Sequence, residues 1–315
     1  MANPKITINR YCLLFLIGLI FIACQKSDEK YKIGLKFKQI GENKPELAEV
    51  IHFDSLGRIN QEVYYNDKSQ IINSVSHYEY DSSDNLTFHT NFRGDYSKFV
   101  YKNQLLISKE TEFGFSSGHA MRSYFYGEKG KIHLERNTFR NKIQSPWEEK
   151  IFFSYDKNDS LIAKNSVGYF FENKAKKYFE LDTFIYEKNK NIILNLKKGA
   201  IYPEKASVKT FSFGKLVKEE NYVWSNLMLK LENLSLYFYK PNGELEKIYN
   251  VDFAVFGYCD IGNETKFNVT VFDKVNDWRS FEINKYKFIE KDFKELQTLA
   301  NDYPRIFNYY KYLKK

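Results

Sequence analysis

A nine-residue unit recurs eight times along this chain, and it restricts the fold more than any other feature of the sequence. The unit is "IHFDSLGRI" from Ile51, "YEYDSSDNL" from Tyr78 and "YFYGEKGKI" from Tyr124. It returns as "FSYDKNDSL" from Phe153, "FIYEKNKNI" from Phe184 and "YFYKPNGEL" from Tyr237, with shortened copies "FVYKNQL" from Phe99 and "FSFGKL" from Phe211. The eight starts lie 27, 21, 25, 29, 31, 27 and 26 residues apart. Its first and third positions are almost all aromatic, and side chains two apart on a strand share one face. Turn formers follow: Asp54 and Gly57, Asp81 and Asn85, Gly127 and Gly130, Asp156 and Asp159, then Gly243. Asp caps a turn through its own carboxylate, while Gly and Asn tolerate positive φ. The unit closes on Ile59, Leu86, Leu105, Ile132, Leu161, Ile192, Leu216 or Leu245, which begins a return strand. Each copy therefore makes two strands and two turns, and eight make sixteen strands. Open sheets beyond about ten strands curl or split. The expected fold is all-β: an antiparallel β-meander of about eight hairpin repeats, curved or wrapped, with an aromatic lining and a short C-terminal helical cap.

The aromatic-x-aromatic-Asp-x-x-Gly-x-Leu unit resembles the YD repeats of RHS-type bacterial surface and secreted proteins, and is also similar to MORN-variant hairpin repeats. The resemblance covers roughly Glu49 to Tyr249. It implies a structural scaffold, because the RHS repeats form shells and the chemistry resides in attached domains. Beyond Tyr249 the pattern weakens. Asp292 and Glu295 have capping-box spacing, and Phe293, Leu296, Leu299 and Ala300 give an apolar helical face ending before Pro304. A second short helix is predicted from Pro304 to Leu313, and the helical end reads as a cap for the last repeat.

The N-terminus carries Lys5 and Arg10 and no acid, followed by an apolar run from Tyr11 to Ala23. That run is shorter than the roughly 20 apolar residues that cross a bilayer, and has the form of a secretory signal. Phe21-Ile22-Ala23-Cys24 resembles a bacterial lipobox, with Phe21 where an aliphatic residue is usual. The resemblance implies cleavage before Cys24, which is then acylated and holds the chain to a membrane. Gln25, Lys26, Ser27, Asp28 and Glu29 resemble the acid-containing export signal of Bacteroidota lipoproteins, which implies outer-membrane, cell-surface display. The expected organisation is a signal peptide over 1–23, a lipidated linker over 24–30, a repeat domain over 31–288 and a helical cap over 289–315.

Processing lowers the formal charge from +8 to about +6, a mild excess that suits a solvated surface and no nucleic-acid partner. It also leaves Cys259 as the one free thiol, read as buried and inert, so no intramolecular disulfide is expected. "GFSSG", Gly114 to Gly118, fits the G-x-S-x-G pattern with Ser116 at its centre, but a nucleophile elbow needs a helix after it and a repeat strand follows here. The motif reads as a hairpin loop. His52, His77, His89, His119 and His133 show no metal-ligand spacing. The turn carboxylates lack the oxygen density of a calcium loop. Asp54-Ser55-Leu56 and Asp159-Ser160-Leu161 resemble the short Bacteroidota O-glycosylation signal. No phosphate or dinucleotide fingerprint occurs. The chain is read as a non-enzyme without cofactor or metal, presenting a β-scaffold to a glycan, peptide or protein. An immunity or antitoxin-like lipoprotein is the alternative, and a hydrolase using Ser116 ranks behind both.

Overall fold

The computed structural model describes residues 31–315 apart from 66–71, 92, 115–117, 142–145, 171–175, 198–201, 226, 254–264, 310–311 and 313–315. The signal, Cys24, the export segment Gln25 to Glu29, Ser116 and Cys259 lie outside the described residues. Strands β1 (Tyr31–Ile40), β2 (Glu46–Phe53), β3 (Ile59–Tyr65), β4 (Ile72–Tyr80), β5 (Leu86–Thr90) and β6 (Tyr96–Lys102) open the chain. Then come β7 (Leu105–Phe113), β8 (Gly118–Tyr126), β9 (Ile132–Arg140), β10 (Trp147–Tyr155), β11 (Leu161–Phe170) and β12 (Lys176–Glu187). The set continues through β13 (Lys190–Lys197), β14 (Lys205–Ser212), β15 (Lys215–Ser225), β16 (Met228–Tyr239), β17 (Leu245–Asp252) and β18 (Lys266–Val275). Helices α1 (Trp278–Tyr286) and α2 (Ile289–Asp302) and a two-residue strand β19 (Ile306–Phe307) complete it.

The expectation of a curved or wrapped meander of about eight hairpins is overturned. The repeats supply β2 to β17, and two strands outside them close the sheet. β1 pairs with β2 on one side and, over ten residues from Tyr31↔Val275 to Ile40↔Lys266, with β18 on the other. With β17 on β18 and sequential antiparallel neighbours elsewhere, the result is a closed barrel of eighteen strands. Closure removes both exposed edges, which an open sheet of this length would leave as unpaired N–H and C=O groups.

The turns explain the rim. Asp54 Oδ1 accepts from Leu56 N and Arg58 N at 3.0 and 2.9 Å, and Asp156 Oδ1 accepts from Asn158 N and Ser160 N, both at 2.8 Å. Asp81 does the same for Ser83 and Asn85. The fourth turn position is left-handed in five of the six nine-residue copies, Gly57, Asp84, Gly130, Asp159 and Gly243, the exception being Lys190 of the Phe184 copy. Glycine adopts that conformation without strain, and aspartate tolerates it. Adjacent turns are joined by ion pairs, Arg58 to Asp84 and Lys129 to Asp159.

Residues opposite one another in register share a face, so two wall faces can be followed around the barrel. Tyr78 and Tyr80, Phe99 and Tyr101, Tyr124 and Tyr126, Phe153 and Tyr155, and Tyr237 and Tyr239 all fall on one, the aromatic face. The third-position ring reaches back over the preceding hairpin. Tyr80 Oη donates to Ile59 O at 2.8 Å, Tyr126 to Leu106 O at 2.7 Å, Tyr155 to Ile132 O and Tyr239 to Leu216 O at 2.8 Å. A cation from that hairpin lies over the same ring in three copies: Arg58 over Tyr80, Lys131 over Tyr155 and Lys215 over Tyr239, at 4.4, 5.1 and 5.0 Å.

The opposite face is apolar where the C-terminal segment covers it. Ile33, Leu35 and Phe37 of β1, Val50, Leu234, Val251 and Val269 are fully buried. Each such side chain contributes about 1.5–3 kcal/mol through burial. The helices lie across this helix face rather than capping an end of the sheet. Asp277 caps α1 at Arg279 N, and α2 turns Ile289, Phe293, Leu296 and Ala300 inward. Asp292 and Glu295 form no capping box. Both receive the Tyr249 hydroxyl, at 2.7 and 3.2 Å, and α2 starts three residues earlier at Ile289. Of the helix predicted from Pro304 to Leu313, the first part is instead strand β19, which pairs with Leu229 and Lys230 at the start of β16, while Tyr312 is helical and 310, 311 and 313 lie outside the described residues.

Among the described residues, charged side chains stand on both faces at strand positions where a lipid-contacting band, about 25 Å tall, would be apolar. The aromatic face bears Lys36, Glu49, Lys109, Arg122, Glu135 and Glu149 in its strands, while the other bears Lys98, Glu110, Glu112, Arg136 and Glu148. No helix among the described residues is long and apolar enough to cross a membrane.

Removing one ring hydroxyl from this ladder is expected to cost a single hydrogen bond. Tyr80→Phe and Tyr155→Phe should each lower unfolding free energy by about 0.5–1.5 kcal/mol in urea titrations. The double variant should sum the two losses, since five strands lie between the sites. A loss confined to one variant, or strong non-additivity, would contradict equivalent bonds acting independently.

Candidate functional site

The repeat turns are spread around one rim and converge on no common point. What the register does assemble is a group on the aromatic face of β7 to β10, toward the other rim. Lys109, Arg122, Asn137 and Glu149 are successive cross-strand partners, forming a polar row across four strands. Two residues along, Thr111, Ala120, Phe139 and Trp147 form a second row, with Phe113 beside it. Small Thr111 and Ala120 between large neighbours leave a cavity of about 340 Å³ lined by both rows.

The rings of the second row are in contact, Phe113 with Phe139 at 5.8 Å between centroids and Phe139 with Trp147 at 6.2 Å. The polar row is charge-balanced. Arg122 Nε lies 3.2 Å from Glu135 Oε1, and Asn137 Nδ2 donates to Glu149 Oε2 at 2.8 Å. Burial, with Arg122 adding repulsion, holds Lys109 below the ordinary lysine range. Its ammonium lies 5.2 Å above the Phe99 ring. Asn137 Oδ1 is buried with no hydrogen-bond partner among the described residues. A buried acceptor left so is costly, and a ligand hydroxyl would satisfy it.

A second polar group occupies the same face on β1 to β5. Glu62 Oε2 accepts from Tyr64 and Tyr78 hydroxyls at 2.7 and 2.8 Å, and Tyr78 stacks on His89 at 4.4 Å. Glu49 is buried and meets Lys36 at 3.3 Å. Burial lifts the Glu49 carboxyl above its ordinary 4.5, Lys36 opposes this, and the nearby Glu62 reinforces it. Burial first, then the bond to Glu62, raises both tyrosines. This group is held together by its own hydrogen bonds.

The residues singled out from sequence fall elsewhere. Asp54, Gly57, Asp81, Asn85, Gly127, Gly130, Asp156, Asp159 and Gly243 sit in turns of the rim opposite the cavity. Ser116 falls between β7 and β8 in sequence and lies outside the described residues. His119, the nearest histidine in sequence, is on the opposite wall face, where its Nε2 meets Glu110 Oε1 at 2.7 Å. The rows lining the cavity were missed because no one segment contains them. The only local trace is small or polar residues at alternate positions of β7 and β8, opposed by aromatic ones in β9 and β10.

No family model matches the chain, and no curated protein matches it. Among solved structures it is similar to a porin-like protein from Bacteroides uniformis, at 13% identity and a TM-score of 0.39, over 78% of this chain and 96% of that one. It is also similar to the TcdB2-TccC3-TEV structure, at 9% identity and a TM-score of 0.29, over 66% of this chain and 14% of that one. Likeness this distant says nothing about what this chain binds or does.

A raised carboxyl pKa means that the folded chain holds its proton more tightly than the unfolded chain. The Glu49 contribution therefore favours folding at low pH and is lost as pH rises through the folded value. Glu49→Gln is expected to flatten this component, so stability relative to the parent should rise from pH 4.5 toward neutrality. Paired urea titrations across that interval check it, and a difference constant with pH would contradict it.

Proposed function

We propose that this protein is a lipid-tethered, water-exposed barrel that binds a neutral glycan in the β7–β10 cavity and catalyses no reaction. The carrying observation is the pairing of an aromatic row with a charge-balanced polar row around about 340 Å³. Trp147, Phe139 and Phe113 offer apolar faces for the C–H face of a sugar ring, and Asn137, Glu149, Arg122 and Lys109 offer donors and acceptors for its hydroxyls. The volume lies at the lower end of the small-ligand range. With two cations set against Glu135 and Glu149, the site has no bias toward an ionic ligand. The platform does not use the repeated tyrosines, which are committed to holding hairpins together.

The tether reading rests on Cys24 and the residues around it, as a Bacteroidota-type lipoprotein pattern. Tyr31 is the seventh residue after Cys24, a reach of at most about 25 Å. Tyr31 enters at the rim of the repeat turns, opposite Val275. An acyl group on Cys24 would turn that rim to the bilayer and the cavity end away from it, where a surface ligand approaches.

Calorimetric titration with neutral oligosaccharides is expected to find binding that Trp147→Ala weakens tenfold or more, the effect of truncating a central aromatic anchor. Asn137→Ala should also weaken it, and Trp224→Phe, on the helix face, should not. No binding, or binding indifferent to Trp147 and Asn137, would overturn the assignment. Cys24→Ser is expected to move the protein from the membrane fraction of expressing cells to the soluble fraction and abolish palmitate labelling. Labelling that survives the change would end the tether reading.

A further inference from the structure

We propose that Glu110, Glu112 and His119 form a binding site for a divalent transition-metal ion of the zinc class. It lies on the helix face of the β7–β8 hairpin, on the other side of the wall from the cavity. Glu112 is the direct cross-strand partner of His119, and Glu110 precedes Glu112 by two residues, so the ladder presents all three on one face. Their ligand atoms lie within 4.8 Å of one another. The tightest approach is His119 Nε2 to Glu110 Oε1 at 2.7 Å. Tetrahedral zinc with bonds near 2.0–2.2 Å needs ligand atoms about 3.4 Å apart, which side-chain rotation alone supplies here.

The donor set selects the ion. One imidazole with two carboxylates suits zinc, leaving a fourth position for water, whereas calcium takes six to eight oxygens and gains little from a nitrogen. The surrounding charges permit it. By register Lys98 lies opposite Glu110 and Arg140 opposite His119. Lys98 sits over the Tyr96 ring at 5.6 Å, and among the described residues neither cation pairs with either carboxylate. Both carboxylates therefore keep lone pairs for a metal, and partial exposure gives an ion access. Glu110 and Glu112 alternate along β7 with Lys109 and Thr111 of the cavity, so a metal would brace the hairpin that carries one side of it.

Titration of the purified protein with Zn²⁺ against a chromogenic chelator is expected to show one site per chain, with no matching response to Ca²⁺. His119→Ala and Glu112→Gln should each weaken it by at least about tenfold, the scale on which even residues outside the ligand shell act. His77→Ala, on the same face but away from the cluster, should leave it unchanged. Thermal unfolding with chelator present establishes that each variant is folded, and zinc should raise the midpoint of the parent but not of His119→Ala. Absence of micromolar zinc binding by the parent, or equal binding by His119→Ala, would overturn the assignment. Either outcome is independent of glycan binding on the opposite face.

Discussion

The barrel depends on how one hairpin is held to the next, and the repeated tyrosine carries much of that load. A two-stranded hairpin is marginal on its own in water. Here the third-position ring lies across the preceding hairpin, its hydroxyl on a backbone carbonyl there and a cation from that hairpin above its face. The basic residue stands immediately before the closing aliphatic in Arg58-Ile59, Lys131-Ile132 and Lys215-Leu216. Each repeat thus brings the acceptor and the cation that the next repeat uses. Hydroxyl and ring face are both engaged by the preceding hairpin in these copies, which leaves the rings unavailable as a binding platform.

Closure is a separate matter. It rests on β1, whose "YKIGLKFKQI" lacks the repeat, and on β18, which lies more than two hundred residues away. Pairing of this kind meets a large loop entropy before any contact rewards it, and long-range ladders form slowly for that reason. The C-terminal segment offsets this cost at the seam. Ile33, Leu35 and Phe37 pack beneath α1 and α2, Tyr286 accepts from Leu47 N at 2.8 Å, and Lys247 meets Asp292 at 2.7 Å. The segment that sequence suggested as a cap is therefore a strap across the closing strands.

The two chemically distinct places proposed for function lie back to back on β7 and β8. Alternation makes this possible: in "KETEF", Lys109, Thr111 and Phe113 serve the cavity, while Glu110 and Glu112 face the other way. The barrel supplies both with neighbours fixed by ladder register and not by a loop.

By itself the sequence determined the local unit: aromatic positions on one face, turns capped by Asp54, Asp81 and Asp156, and left-handed glycines at Gly57, Gly130 and Gly243. These follow from side-chain alternation and from turn chemistry acting within nine residues. It also carried the patterns read as a signal and a lipid attachment at Cys24, which are written in contiguous residues. Only the tertiary structure decided that the sheet closes, that Asp292 binds Tyr249 instead of capping a helix, and that Arg122 stands beside Asn137 and Glu149. Those outcomes turn on register between strands distant in the chain. A one-residue slip would send every side chain to the opposite face, and no local pattern encodes where two separate strands align.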